Sequence, residues 1–225
     1  STPLYSSAAS DVYKRQASEM PLLRALMQDQ PLLISSLVKY SAEYHGKCEI
    51  VTRSLDRSVH RVTYSDLYKR VQQLANALGE LGAGPGDRIG TIAWNSSRHL
   101  EIYYAVSGIG CICHTVNPRL FVEQLTYIIN HAEDKFLFVD LSFLELLEQL
   151  SPNLKGVEGF IVMCSEEEMP ETQLENIYCY ESLVLAQEDQ YEWPLFDENT
   201  ASSLCYTSGK TVSYTHLTLT TNREV

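Results

Sequence analysis

The chain has 225 residues, 44% of them hydrophobic, and a formal net charge of -12. That length and apolar fraction support a packed core and exclude a disordered chain. The acidic balance argues against a nucleic-acid backbone as partner, so any anionic ligand must be held by local dipoles.

From Pro31 the run PLLISSLVKYSAEYHG places Ile34, Leu37, Val38 and Tyr44 on roughly one helical face, with Pro31 in the first turn and Gly46 as the stop. CEIVTR and HRVTYS then read as strands flanking SLDRSV, a hairpin. Ser65 or Asp66 is the expected cap of the next helix, in which Leu67, Val71, Leu74, Leu78 and Leu81 recur every three or four positions.

GAGPGDRIG invites a dinucleotide reading and fails it. Gly82, Gly84 and Gly86 do not give GxGxxG, and they precede a strand. They suit a helix stop and a turn. The strand RIGTIAW is followed by helix SSRHLEIYYAVSGIG, strand CICHTV, helix FVEQLTYIINHAE, strand KFLFVD, helix SFLELLEQL and strand GFIVM. Short connections between alternating strands and helices predict an α/β fold with a mainly parallel sheet flanked by helices. The strands are apolar almost throughout, as burial on both faces requires. Residues 165–176 read as a solvated acidic loop, and CYESLVLAQ as a short helix.

The six cysteines (48, 111, 113, 164, 179, 205) include no CxxC and sit among apolar neighbours, which predicts reduced core thiols and a cytoplasmic protein. No His or Cys pair has metal-ligand spacing. The longest apolar run, IYYAVSGIGCIC, is interrupted by Ser107, Gly108 and Gly110, so no integral membrane segment is expected, and the opening residues lack a signal-peptide core.

SAASDVYKRQ and VSYTHLTLTTNREV resemble translated sequencing-adapter read-through, so residues 1–16 and 210–225 are expected to be artefactual tails around a domain at 17–209. Without the tails, 17 - 4 = 13 basic and 29 - 2 = 27 acidic residues leave a net charge of -14. The chain is acidic with or without them.

The segment SSLCYTSGK delivers a short apolar strand into Thr207, Ser208 and Gly209, whose hydroxyls and backbone N–H groups could turn towards a phosphate. Alone, such a tripeptide is usually an ordinary turn. A Walker P-loop is excluded, since GxxxxGK[ST] is not present.

FDENTASSLCYTSG resembles the segment that opens the phosphate loop of the acyl-adenylate-forming synthetases, where the motif runs Tyr-Thr-Ser-Gly-Thr-Thr-Gly-x-Pro-Lys-Gly. IAWNSSRHLEIYYAVSGIGCICHTVNPRLFVEQLTYIINHAED is similar to the family's N-terminal subdomain. QPLLISSL and HTVNPRLF look especially like its 3-methylmercaptopropionate and medium-chain fatty-acid–CoA ligase branch. The resemblance covers about residues 26–209 and implies a truncated N-terminal subdomain of the adenylate-forming fold. It implies that Thr207, Ser208 and Gly209 open the loop that holds the β- and γ-phosphates of ATP, with Tyr206 as a packing position before it. At Lys210 the pattern breaks, where the family has Thr.

The resemblance further implies an ATP-dependent ligase that joins a medium- or long-chain or methylthio-substituted carboxylic acid to CoA through an acyl-adenylate, with Mg²⁺. It admits a homodimer of the full-length parent. The chain alone is expected to be inactive, because later motifs and a C-terminal catalytic lysine are missing. Competing readings are a non-catalytic nucleotide-binding or interaction domain of the same fold and, more weakly, a dinucleotide oxidoreductase. No residue is assigned as catalytic. His114 is expected to make a structural hydrogen bond, and His99 and His131 to lie at helix surfaces or caps. Trp94 and Asn95 end a strand where α/β sheets present ligands.

Overall fold

A computed structural model describes residues 30–53, 57–206 and the backbone of 215–217. Pro31–Val225 form one unit and Ser1–Gln30 a second, of which Gln30 alone is described. The expectations for residues 1–16 lie outside the described residues, as do those for 210–225 apart from 215–217.

Helix α1 (Ile34–His45) ends at Gly46 as predicted, but its buried positions are Ser35 and Val38, while Leu37 and Tyr44 are exposed. The buried stripe therefore passes through Val38, with Ile34 half-buried and Leu37 and Tyr44 left in solvent. β1 (Glu49–Arg53) and β2 (Val59–Thr63) pair antiparallel as a separate two-stranded sheet, with Ile50 opposite Val62. Residues 54–56 of the expected turn are not described.

Helix α2 (Tyr64–Glu80) starts earlier than predicted. Its cap is Thr63, whose hydroxyl accepts from the Asp66 N–H at 3.2 Å while Asp66 Oδ2 accepts from the Thr63 N–H at 3.2 Å. Asp66 is thus the third helical residue of a reciprocal cap. Leu67, Val71, Leu74 and Leu78 are fully buried along one face; Leu81 is the C-cap.

The main sheet runs in the order β7-β6-β5-β3-β4-β8-β9. Its strands are β3 (Arg88–Ile92), β4 (Ile112–Thr115), β5 (Asp134–Val139), β6 (Gly159–Val162), β7 (Ile177–Cys179), β8 (Ser203–Cys205) and β9 (Thr215–Leu217). All adjacent pairs are parallel except β8 with β9. The predicted mainly parallel α/β sheet is present. The pairing of Thr215–Leu217 with β8 falls within the stretch expected to be an artefactual tail.

Helices α3 (Ser97–Gly108), α4 (Val122–Ala132), α5 (Leu144–Leu150) and α6 (Tyr180–Leu185) complete the layers. Strand alternation sorts the core into two clusters. Ile89, Cys113, Phe136 and Phe138 pack with α1, α2, α3 and α6. Ile92, Leu137, Val139 and Phe160 pack with α4 and α5. Each fully buried Leu or Ile in these layers contributes roughly 1.5–3 kcal/mol of transfer free energy.

The cysteines are all free, but Cys48 is exposed and Cys179 and Cys205 are half-buried, which corrects the expectation of uniform core thiols. Cys48 lies between α1 and β1, where the chain runs over the surface. Among the described residues, no helix is long and apolar enough to cross a membrane.

Candidate functional site

Parallel β3, β4, β5 and β8 all end at the same edge of the sheet. The order reverses around β3, since β4 lies on one side of it and β5 on the other, and such a switch point opens a crevice at the carboxyl ends of the strands. At this edge Trp94 donates from Nε1 to Ser142 Oγ at 2.9 Å and packs on Phe143 at 5.1 Å. Ser142 is fixed in turn by Asp140 Oδ1, which accepts from the Ser142 N–H at 3.0 Å and its hydroxyl at 2.7 Å. Trp94 is thus held in place just past the end of β3 and stays partly exposed.

β8 enters the crevice beside β4, with His114 opposite Leu204 and Thr115 opposite Cys205. Its approach is anchored by Ser202, whose carbonyl accepts from the Cys113 N–H and the Ser107 hydroxyl, both at 3.0 Å. Tyr206, the first residue past the strand, lies with its hydroxyl 2.6 Å from His131 Nδ1 and its ring 5.3 Å from the His114 ring. The expected packing role of Tyr206 is filled by these two histidines. The predicted ligand residues Thr207, Ser208 and Gly209 come immediately after, outside the described residues.

Beneath Tyr206 lies the least expected feature. His114 and Asp134 are fully buried, and Nδ1 of the histidine sits 2.7 and 2.9 Å from the two carboxylate oxygens. A bulge puts Asp134 there. Arg88 pairs with Asp134 and Ile89 with Phe136, so Lys135 is the extra residue and Asp134 turns to the α4 face. The carboxylate then crosses β3 over Gly90, where an added Cβ would stand 2.8 Å from Asp134 Oδ2 and 2.7 Å from Leu137 Cδ2. Burial pushes the Asp134 carboxyl above its usual range, and the His114 hydrogen bond works against that shift. The structural hydrogen bond expected of His114 is this one. Its partner was not foreseen, although an acidic residue at the head of an apolar strand was its visible signal.

His99 departs from its expected surface place. It is buried, with Nε2 3.1 Å from Thr91 Oγ1, and burial pushes its pKa down. His131 is exposed on α4 and engages Tyr206. A separate cavity of about 210 Å³, lined in part by Asn130, Asp134 and Lys155, opens at the start of β5 and belongs to the opposite edge of the sheet.

Comparison with known proteins bears on this edge. Residues 39–223 match the family described as AMP-binding enzyme. The 3-methylmercaptopropionyl-CoA ligase of Ruegeria lacuscaerulensis is 49% identical over 195 residues, covering 84% of this chain and 36% of that protein. The medium-chain-fatty-acid–CoA ligase of Ectopseudomonas oleovorans is 46% identical over 200 residues, covering 87% of this chain and 36% of that protein. The crystal structure of Brucella canis acyl-CoA synthetase superposes with a TM-score of 0.72 at 15% identity, over 93% of this chain and 37% of that one. An anthranilate CoA ligase in complex with anthranoyl-AMP gives 0.71 at 21% identity, over 84% of this chain and 35% of that one. The chain spans about a third of the length of the relatives it matches.

Proposed function

The chain belongs to the AMP-binding enzyme family, and from that membership we propose that it is part of an ATP-dependent acyl-CoA ligase in which Thr207, Ser208 and Gly209 begin the triphosphate loop. The observation that carries the reading is the course of β8. It runs parallel to β4 into the crevice at the switch point, and Tyr206 is fastened on His131 and His114 one residue before the hydroxyls begin.

The chemistry proposed is the one that likeness to the acyl-CoA ligases suggests. A carboxylate oxygen attacks the α-phosphorus of ATP, the P–O bond to the β-phosphate breaks, and pyrophosphate leaves. The CoA thiol then gives up its proton as its sulfur attacks the acyl carbon, the acyl C–O bond to the phosphate breaks, and AMP departs. The hydroxyls of Thr207 and Ser208 and the N–H of Gly209 suit the non-bridging oxygens of the leaving pyrophosphate. Magnesium supplies the remaining charge neutralisation when bound. With a formal net charge of -12 on the chain, such local donors and a metal have to oppose the repulsion of a polyanion. No described residue is assigned to CoA.

The acid is proposed to be medium-chain, long-chain or methylthio-substituted, by likeness to the two curated relatives named above. The setting proposed is the cytoplasm, and the whole enzyme is proposed to act as a homodimer. Pyrophosphate release with a panel of such acids and ATP tests the activity, using the protein with its native sequence beyond residue 209. Release that requires one of these acids supports the reading, and silence across the panel removes it.

A further inference from the structure

Three sulfur atoms converge where β6 and β7 end. Cys164 lies just past β6 and Cys179 closes β7, its neighbour in the sheet. The turn after Cys164 is drawn tight by Ser165, whose N–H and hydroxyl both donate to Glu168 Oε2, at 3.0 and 2.9 Å. That turn brings Met169 back, so its Sδ stands 3.6 Å from Cys164 Sγ. Cys179 donates to the Cys164 carbonyl at 3.3 Å, which sets its side chain beside Cys164. Both are free. Cys164 is 1% exposed, while Cys179 and Met169 are half-buried and leave a way in from solvent.

We propose that Cys164, Cys179 and Met169 form a binding site for monovalent copper, held by two thiolates and one thioether. Copper(I) favours soft sulfur donors and accepts low coordination numbers, whereas structural zinc asks for four nitrogen or sulfur ligands. Among the described residues no group of three or more His, Cys, Asp or Glu could hold a metal ion, so the thioether is what completes this set. Glu168 is near, but its Oε2 is occupied by Ser165.

Binding releases two thiol protons to solvent and adds one positive charge, so the site gains a net charge of minus one. Arg98 stands close enough to offset it, held by its bonds to the Met163 carbonyl at 3.0 Å and Glu181 at 2.7 Å. Burial and the neighbouring Cys179 push the Cys164 thiol up to about 12, with Arg98 acting the other way. Because both thiols must lose a proton to bind, the metal competes with protons and its hold weakens as pH falls. None of this depends on ligase activity.

The test is anaerobic competition for Cu(I) between the full chain and a chromophoric Cu(I) chelator. The exposed Cys48 is first replaced by serine. One copper per chain should leave the chelator. Met169→Leu should weaken the hold, and the pair Cys164→Ser and Cys179→Ser should abolish it. Alkylation followed by peptide mass mapping reads the same site without those substitutions: Cu(I) should shield the half-buried Cys179 and leave Cys205 reactive. Equal copper uptake by the double-serine chain would overturn the proposal. So would undiminished alkylation of Cys179 in the presence of Cu(I).

Discussion

Asp134 reaches His114 across the backbone of Gly90, with 2.7 Å between Oδ2 and Nδ1 and no solvent access to either side chain. Three strands are tied by that contact, because the carboxylate belongs to β5, the glycine to β3 and the imidazole to β4. The bare glycine is what leaves the path open. Gly90→Ala should therefore destabilise the fold by about 1–3 kcal/mol through overpacking against Leu137 and Asp134. Urea unfolding checks this, and an unchanged midpoint would mean that the crossing has slack.

A second buried network joins the helices on the other face. Arg70 donates to Glu101 at 2.8 Å and pairs with Glu181 at 3.0 Å, while the Tyr180 hydroxyl donates to Glu101 at 2.6 Å. Burial works against the Arg70 charge, but the Glu101 carboxylate more than offsets it and holds the guanidinium protonated. The Glu101 side chain is only 2% exposed. Arg70→Met should leave it uncompensated and cost about 3–5 kcal/mol. Adding Glu101→Leu should recover most of that loss. A double variant as unstable as the single would show that packing, not charge, sets the cost.

The cap of α2 gives a pH prediction. Hydrogen bonds from the Thr63 hydroxyl and then its N–H hold the Asp66 carboxyl below its ordinary value of 3.8. A depressed carboxylate contributes stability that is present above the ordinary value and lost as pH falls through the lower, folded value. Asp66→Asn should flatten this acid limb of the stability curve. Thr63→Ala should cost about 1 kcal/mol at neutral pH. Denaturation at a series of acidic pH values reads both, and an acid limb unchanged by Asp66→Asn would contradict the assignment.

The layered parallel sheet was legible because its strands are continuous apolar runs set between amphipathic helices, as with KFLFVD before SFLELLEQL. What escaped was set by specific pairings that residue preferences alone do not rank. The cap fell on Thr63 because its hydroxyl and Asp66 satisfy each other, whereas propensity alone favoured Ser65 or Asp66. Leu37 and Tyr44 lie off the stripe that Val38 buries, a rotation that periodicity over so short a helix does not fix. Asp134 faces the α4 layer only because a bulge adds Lys135, and no strand pattern announces a bulge. Thr207, Ser208 and Gly209 were singled out by the family motif alone and lie outside the described residues; the structure adds the strand that leads to them and the place of Tyr206.

The central claim is that β8 hands Tyr206 to a triphosphate loop. It is tested most directly by acid-dependent ATP–pyrophosphate exchange in a full-length protein in which Gly209 is followed by the rest of the family motif, Thr-Thr-Gly-x-Pro-Lys-Gly. The account predicts exchange with a medium-chain or methylthio-substituted acid, lowered about 10²- to 10³-fold by Thr207→Ala with Ser208→Ala, since lost transition-state donors cost that much. The unfolding midpoint should stay nearly unchanged. Exchange that survives both substitutions at full rate would contradict it.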